Sequence, residues 1–566
     1  MKKMTTRIGR CGILRKTVAV SLSVAMIALT GCGASGSSGT TAAGSSANGG
    51  GAAASTAAAG TAAAGNTASA GGKTITMAMV SAWDNMMPFD TTSAYSDAIF
   101  DLIYDKLVYL KQDGTYYGRL AESWEMNSDN TVLTIKLNQK AKWQDGEPVT
   151  ADDVVFTSLL YSSPTMATAR TNQFNSFAGF GKGDDTLQVK ALDTYTVQFT
   201  CAEPTNIDFL MFTKFRDVYI LPKHLLGNIP YDKIRDSDYW KNPVGSGACI
   251  YDSQISGERM EFKANKDYFM GTPQWDRFVV RVVPTPNLLS GLLNGEIDIL
   301  AGNVGSLQLS DWAMAQSNKD LVCSSVPSVA YQYMAINTSK PYLNDKVRQG
   351  INYAINRKVI VDNLLQGQGA IAYGPIPSDS KYYNPVIEAP YDVNKAKALL
   401  AEGGWDGSHT LVMSVPTGNT VREQSATIIQ QNLADVGVKC QIESADFATH
   451  LNKVRKGDYD LGFIGSGGSP DPSECVINFN PDHLNNFSHL SDWTVYNTGA
   501  AGQNAFTFED RKVCYDKYQE ELSKQVPFAF LYFTNTLFAS RSNIGGVTDV
   551  QDFSQLNRDV WNWTIK

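Results

Sequence analysis

Between His409 and Ile464 the chain switches repeatedly between a two-residue and a helical hydrophobic period, and this constrains the fold more than any other feature. His409 to Val415 reads as a strand. Thr420 to Val436 reads as an amphipathic helix stopped by Gly437, Val438 to Ser444 as a second strand, Asp446 to Lys456 as a second helix, and Tyr459 to Ile464 as a third strand. Parallel strands need long crossover connections, and helices supply them, so a βαβαβ unit in a mainly parallel sheet with right-handed crossovers is expected. Ligands of such sheets sit outside the carboxyl ends of the strands. The loop leaving the third strand, Gly465-Ser466-Gly467-Gly468-Ser469-Pro470-Asp471-Pro472, lies at such an end, and its glycines let backbone approach a ligand closely. It has neither the lysine nor the following helix of a phosphate loop, which argues against nucleotide binding.

A second strand end points to the same region of such a fold. Lys73 to Val80 alternates as a short strand, and Ser81-Ala82-Trp83-Asp84 follows it, making Trp83 a candidate pocket wall. Thr131 to Leu137 is a further strand, and Thr150 with Asp153 opens the apolar run Val154 to Tyr161 in the manner of a capping box. The acidic residues there are expected to serve the helix start rather than catalysis.

Upstream of this body the chain carries an export signature. Lys2, Lys3, Arg7, Arg10, Arg15 and Lys16 precede an uncharged, mostly apolar run from Thr17 to Thr30, the pattern of a signal peptide over residues 1–31. The run is shorter than the roughly 20 apolar residues a spanning helix needs. From Gly33 to Gly72 only Gly, Ala, Ser, Thr and Asn occur, a composition unable to build a core, so residues 32–72 are expected to form a disordered tether reaching about 35 Å. Removing the six basic residues of the signal takes the formal charge from −8 to −14, which argues against a nucleic-acid partner.

The body beyond residue 72 is longer than one ordinary domain, so two or more lobes are expected. Its six cysteines, Cys201, Cys249, Cys323, Cys440, Cys475 and Cys514, form no CxxC, leaving free thiols and one or two disulfides as the open alternatives. The five histidines have no HExxH spacing, and no nucleophile elbow or P-loop is present. Binding without metal, cofactor or catalysis is the expectation.

Several separated motifs carry a resemblance. Leu120-Ala121-Glu122-Ser123-Trp124 is followed by Trp143-Gln144-Asp145-Gly146-Glu147-Pro148, then Asn242-Pro243-Val244-Gly245-Ser246-Gly247, Asn294-Gly295-Glu296-Ile297-Asp298, and Val347-Arg348-Gln349-Gly350-Ile351-Asn352-Tyr353-Ala354-Ile355-Asn356-Arg357. In this order they strongly resemble the bacterial extracellular solute-binding proteins of family 5, the oligopeptide and dipeptide type that serves ABC importers. The resemblance implies an α/β fold of periplasmic-binding-protein type II, with two lobes joined by a two-segment hinge and an extra subdomain in lobe one. It puts lobe one at 73–330 with the subdomain at about 116–244, lobe two at 331–532, and the return to lobe one at 533–566, with crossings near Ser325 to Asn337 and Val526 to Ser540. Leu29-Thr30-Gly31-Cys32 resembles a lipobox, which implies that Cys32 carries the lipid of a lipoprotein held at the outer face of the cytoplasmic membrane. The implied partners are a peptide and the permease subunits, with a saccharide as the alternative ligand and a monomer as the working state.

The candidate ligand contacts are Trp83, Asp84, Tyr331, Tyr333, Phe463, Gly465, Ser466, Gly467, Gly468 and Asp471. One of them departs from the family. Peptide-binding relatives commonly carry an Asp, four residues before the proline of the Asp-Pro, that pairs with the ligand's ammonium, and here Gly468 occupies that place. A buried ammonium without a counter-charge is costly, so Asp84, Asp471 or a neutral ligand must resolve the difference.

Overall fold

The computed structural model describes residues 72–111, 115–547 and 559–566. The expected signal segment, Cys32 and all of the tether but Gly72 lie outside the described residues. Strand β1 (Thr74–Met79) pairs in parallel with Arg277–Val282 on one side and Ile299–Leu300 on the other. The antiparallel strands Arg259–Ala264 and Cys249–Ile255 extend this group into one half of a large sheet. Between β1 and that group the chain builds a separate four-stranded antiparallel sheet from Ala121–Met126, Val132–Leu137, Val189–Asp193 and Thr196–Thr200. The helix Ala151–Ser162 beside it begins as expected, with the Thr150 amide donating to the Asp153 carboxylate at 2.8 Å.

The other half of the large sheet is entered along β2 (Leu321–Ile336). The βαβαβ unit follows as β3 (Thr410–Pro416), α1 (Thr420–Asp435), β4 (Lys439–Ala445), α2 (Phe447–Lys456) and β5 (Leu461–Ser466). Local chemistry fixes its boundaries. The Asn419 side chain caps α1 by accepting from the Arg422 amide at 2.9 Å, and Asp446 caps α2 by accepting from the Thr449 amide at 3.0 Å. Gly437 and Gly457 end the helices at φ of 83° and 77°, where a side chain would be strained. β3 pairs in parallel with both β4 and β5.

The chain returns along β6 (Phe528–Arg541), antiparallel to β2, and β2 is in turn antiparallel to β5. The sheet is therefore mixed rather than mainly parallel. Parallel pairing is confined to the crossover units, because the chain leaves along β2 and comes back along β6 in the opposite sense. These strands have 16 and 14 residues, roughly 50 Å at about 3.3 Å per residue. Each contributes to more than one core. Val326, Leu537 and Phe538 pack with Ile75, Phe278 and Ile299 in a first core. Met334, Ala529 and Leu531 pack with Met413, Ile429 and Phe463 in a second, while Tyr331, Tyr333 and Phe530 pack with Val454, Ile464 and Tyr518 in a third. The first core draws on residues up to Val326 and from Leu537 onward, the other two on Tyr331 to Phe533.

At this junction the pairing of β2 with β6 is irregular. Pro327 faces Asn535 and Tyr331 faces Phe533, so four steps of β2 match two of β6. Bulged strands twist and re-aim their neighbours. The six cysteines are all free thiols, which resolves that alternative among the described residues.

Candidate functional site

The end of β5 has an open edge beside this irregular stretch. β3 covers β5 only at Leu461 and Gly462, and continuing that register would set Pro416, which has no N–H, against Ile464. From Phe463 to Ser466, β5 pairs with β2 alone among the described strands. Gly465 and Gly467 are exposed. A Cβ on Gly467 would meet nothing within 4 Å, whereas one on Gly465 would meet the Gln332 side chain at 2.4 Å. Gly468 is different, with a φ of +65° and an ideal Cβ position only 1.8 Å from the Val329 carbonyl oxygen. The backbone of β2 thus fills the space where an ammonium-pairing carboxylate would be rooted.

Asp471 does not supply that charge either. It is buried, and both its oxygens accept from Arg511 Nη2, at 2.9 and 2.7 Å. Arg511 also donates to the Gly502 carbonyl and to the Tyr382 and Tyr515 hydroxyls. Burial alone would lower the pKa of Arg511, and Asp471 with the surrounding phenols raises it above its ordinary value instead. Asp471 further caps the short helical turn that follows by accepting from the Ser473 amide at 2.9 Å.

Trp83 is half-buried against the first core and donates from Nε1 to Gln254 Oε1 at 3.1 Å. The Asp84 carboxylate accepts from the hydroxyls of Ser96 and Thr91, fixing the loop to the start of the helix Ala94–Ile103. Burial pushes its pKa up, but these hydroxyls and the local amides outweigh it and hold the group below the usual range. Tyr331, Tyr333 and Phe463 are at most 1 % exposed. Tyr333 stacks on Phe528 with ring centroids 4.2 Å apart. These three expected contacts are core residues, because both faces of a central strand here are covered. Of the expected set, the structure brings Gly465, Ser466 and Gly467 together at an open surface.

Against the far end of the loop, at Pro470 and Asp471, lies a segment that no sequence motif marks. Residues 206–217, which pack into the first core through Leu210, Met211 and Phe215, also touch residues of the third core's surroundings. Asn206 Nδ2 donates to the Ala505 carbonyl at 2.8 Å, and Arg216 Nη2 meets Glu474 Oε2 at 3.2 Å. Between these contacts lies a cavity of about 150 Å³, with Phe212 on one side and Asp379, Lys381, Tyr382, Pro470 and Asp471 on the other. That is some five water volumes at about 30 Å³ each, smaller than the roughly 300 Å³ of a complete small-molecule site, so it suits one side-chain-sized group. Its lining comes from three separate chain segments, so no local motif announces it. Among the described residues no cluster of three His, Cys, Asp or Glu is grouped to hold a metal, and no helix is long and apolar enough to cross a membrane.

Residues 115–485 match the family model described as bacterial extracellular solute-binding proteins, family 5 Middle. The oligopeptide-binding protein AppA of Bacillus subtilis is 26% identical over 516 residues, covering 84% of this chain and 89% of AppA. The glutathione-binding protein GsiB of Shigella boydii is 26% identical over 394 residues, covering 69% of this chain and 73% of GsiB. Among solved structures, the ABC transporter substrate-binding protein CtaP of Listeria monocytogenes matches with a TM-score of 0.79 at 24% identity, over 87% of this chain and 99% of that one. AppA in complex with a nonapeptide matches with a TM-score of 0.68 at 23% identity, with the same coverage. These structural likenesses establish a shared solute-binding-protein fold.

Proposed function

The chain belongs to the bacterial extracellular solute-binding proteins of family 5, and on that premise we propose that it captures a peptide in a cleft between two lobes and delivers it to the permease of an ABC importer. The observation that carries this reading is the open edge at the end of β5, where Gly465 and Ser466 pair with β2 alone and run into the exposed Gly467. An extended peptide presents main-chain donors and acceptors with the spacing of a strand, and adding it to such an edge satisfies both partners. Relatives named for binding oligopeptides and glutathione support the choice of ligand class.

The lobes in this reading are 73–330 with 533–566, and 331–532, with the extra subdomain at about 116–244. Their separate cores support the division. The hinge is the irregular stretch of β2 and β6 around Pro327 and Asn535, and closure brings Phe212 and Arg216 against the second lobe. Closure requires contacts that the ligand makes only in the closed state. Trp83, Gly465, Ser466 and Gly467 are its contacts in this account, and the protein works by binding, without catalysis. The lipid on Cys32 holds a monomer at the outer face of the cytoplasmic membrane, and the tether leaves the body free to meet the permease. A saccharide ligand has less support, since Tyr331, Tyr333 and Phe463 are core residues and offer no stacking platform. Incubating the purified chain with a protein digest and identifying retained material by mass spectrometry tests the reading. Retention of peptides supports it, and recovery of none sinks it.

A further inference from the structure

Phe212 is 5 % exposed, yet it belongs to none of the three cores. It stands on a π-helical turn, Leu210–Phe215, a rare geometry that recurs at functional sites. The turn is pinned on both sides. Leu210, Met211 and Phe215 enter the first core. Asn206 caps the residues before the turn by accepting from the Phe209 amide at 3.0 Å, and its Nδ2 donates across to the Ala505 carbonyl. The Phe212 ring meets Tyr116 edge-on with centroids 5.1 Å apart, and the Tyr116 hydroxyl donates to Asp208 at 2.7 Å. A ring held in this way is a fixed wall, and the cavity of about 150 Å³ lies against it.

The rest of the lining mixes apolar surface with groups that donate and accept. Tyr382 and Pro470 supply the first, and Asp471 is already neutralised by Arg511. Asp379, Ser380 and Lys381 complete it. Asp379 and Lys381 are exposed, and among the described residues neither side chain makes an ion pair or a hydrogen bond. Lys381 Nζ lies 5.4 Å from the ring centroids of both Tyr382 and Phe508, and Ser380 Oγ accepts from the Tyr382 amide with its own proton left to give. A side chain with an aromatic body and a neutral tip that both donates and accepts matches this lining. A charged tip would meet one like charge, Asp379 or Lys381. The volume, about five waters, admits one such group. Pro470 lies three residues beyond Gly467, at most about 11 Å along the chain, so an extended peptide paired at Gly465 and Ser466 reaches the cavity within about three further residues.

We propose that this cavity receives one tyrosine side chain of the bound peptide, with Phe212 setting the sequence preference of the cleft. The assignment deepens the peptide reading and rests on it. Phe212 and the facing residues belong to different lobes of that reading, so the phenol engages both walls only when the lobes meet, which is the differential contact that closure requires. Titration calorimetry on the purified chain compares hexaalanine with peptides carrying a single Tyr, Phe, Lys or Glu at each position in turn. Tyr at one position, and not at the others, is expected to tighten binding roughly tenfold to a hundredfold over alanine, the scale of burying an aromatic side chain. Phe at that position should bind about three- to tenfold more weakly than Tyr for want of the hydroxyl, and Lys or Glu should stay within about fivefold of alanine. Phe212→Ala removes the wall and Phe212→Trp fills the cavity, and each should bring Tyr to within about threefold of alanine at that position. Ser380→Ala should narrow the gap between Tyr and Phe. A purely structural role for Phe212 would shift all the peptides together and leave these ratios alone. Equal affinity of Tyr and alanine at every position, a preference for Lys or Glu over Tyr, or a tyrosine gain that survives in both Phe212 variants overturns the proposal and leaves peptide capture standing. No binding by any of these peptides overturns peptide capture and this assignment together.

Discussion

Gly467 and Gly468 are adjacent and chemically identical, yet replacing each by alanine should have opposite consequences. At Gly468 the φ of +65° costs an L-residue about 1–2 kcal/mol. The added Cβ would also stand 1.8 Å from the Val329 carbonyl oxygen and 2.5 Å from its carbon. Those are backbone atoms in the irregular stretch of β2, so no rotamer change relieves the overlap, and overpacking of this kind costs about 1–3 kcal/mol more. Gly468→Ala should therefore lose roughly 2–5 kcal/mol. Gly467→Ala, with nothing within 4 Å of its new methyl, should change stability by no more than about 0.5 kcal/mol. Urea unfolding followed by tryptophan fluorescence measures both variants against the parent. Equal stability of the two would refute the packing of this loop against β2. It would also remove the argument that an acid at position 468 is sterically excluded, and Gly468→Asp, expected here to be destabilised and to gain no preference for free amines, would need a different account.

Three further outcomes follow from the geometry. Asp471→Ala leaves Arg511 buried and unpaired and should cost about 3–5 kcal/mol, whereas Asp516→Ala, which breaks a surface i,i+4 pair with Lys512, should cost at most about 1; similar losses in urea unfolding would refute the structural role of Asp471. Arg216→Ala removes the partly exposed contact to Glu474, so bound ligand should dissociate about two- to fivefold faster in stopped-flow measurements; an unchanged rate would mean that this pair does not hold the closed state. His450 is buried with its Nδ1 against Ser414 Oγ at 2.8 Å, and burial pushes its pKa from 6.5 down to about 4. The unfolded chain therefore binds a proton that the folded chain refuses as pH falls through that window, and stability should fall with it. His450→Gln should flatten the slope of unfolding free energy between about pH 6.5 and pH 4; an unaltered slope would refute the neutral buried state.

The parts of the fold that were legible in the sequence are those written in local chemistry. The βαβαβ unit was readable to within two residues because Asn419, Asp446, Gly437 and Gly457 mark its helix ends. The mixed pairing of the large sheet was not, since the direction of β2 and β6 depends on where the chain must return rather than on any residue in them. Tyr331 and Tyr333 stand two apart and so share one face of β2, but nothing local says whether that face meets a ligand or another layer of protein. Asp471 looked available because its partner, Arg511, lies 40 residues away, and Phe212 is more than 250 residues from the loop it faces. Departure from a family pattern was the better guide. Gly468 was visible from sequence as a missing acid, and the structure supplies the steric reason.

The measurement that tests the account most directly is thermal unfolding of the purified chain against a panel of short peptides, oligosaccharides and nickel. A ligand specific for the folded state at about 100 times its dissociation constant adds roughly 2.7 kcal/mol of stability. Stabilisation by peptides, with none from sugars or nickel, is the predicted result; stabilisation by sugars or nickel alone would contradict peptide capture at the β5 edge.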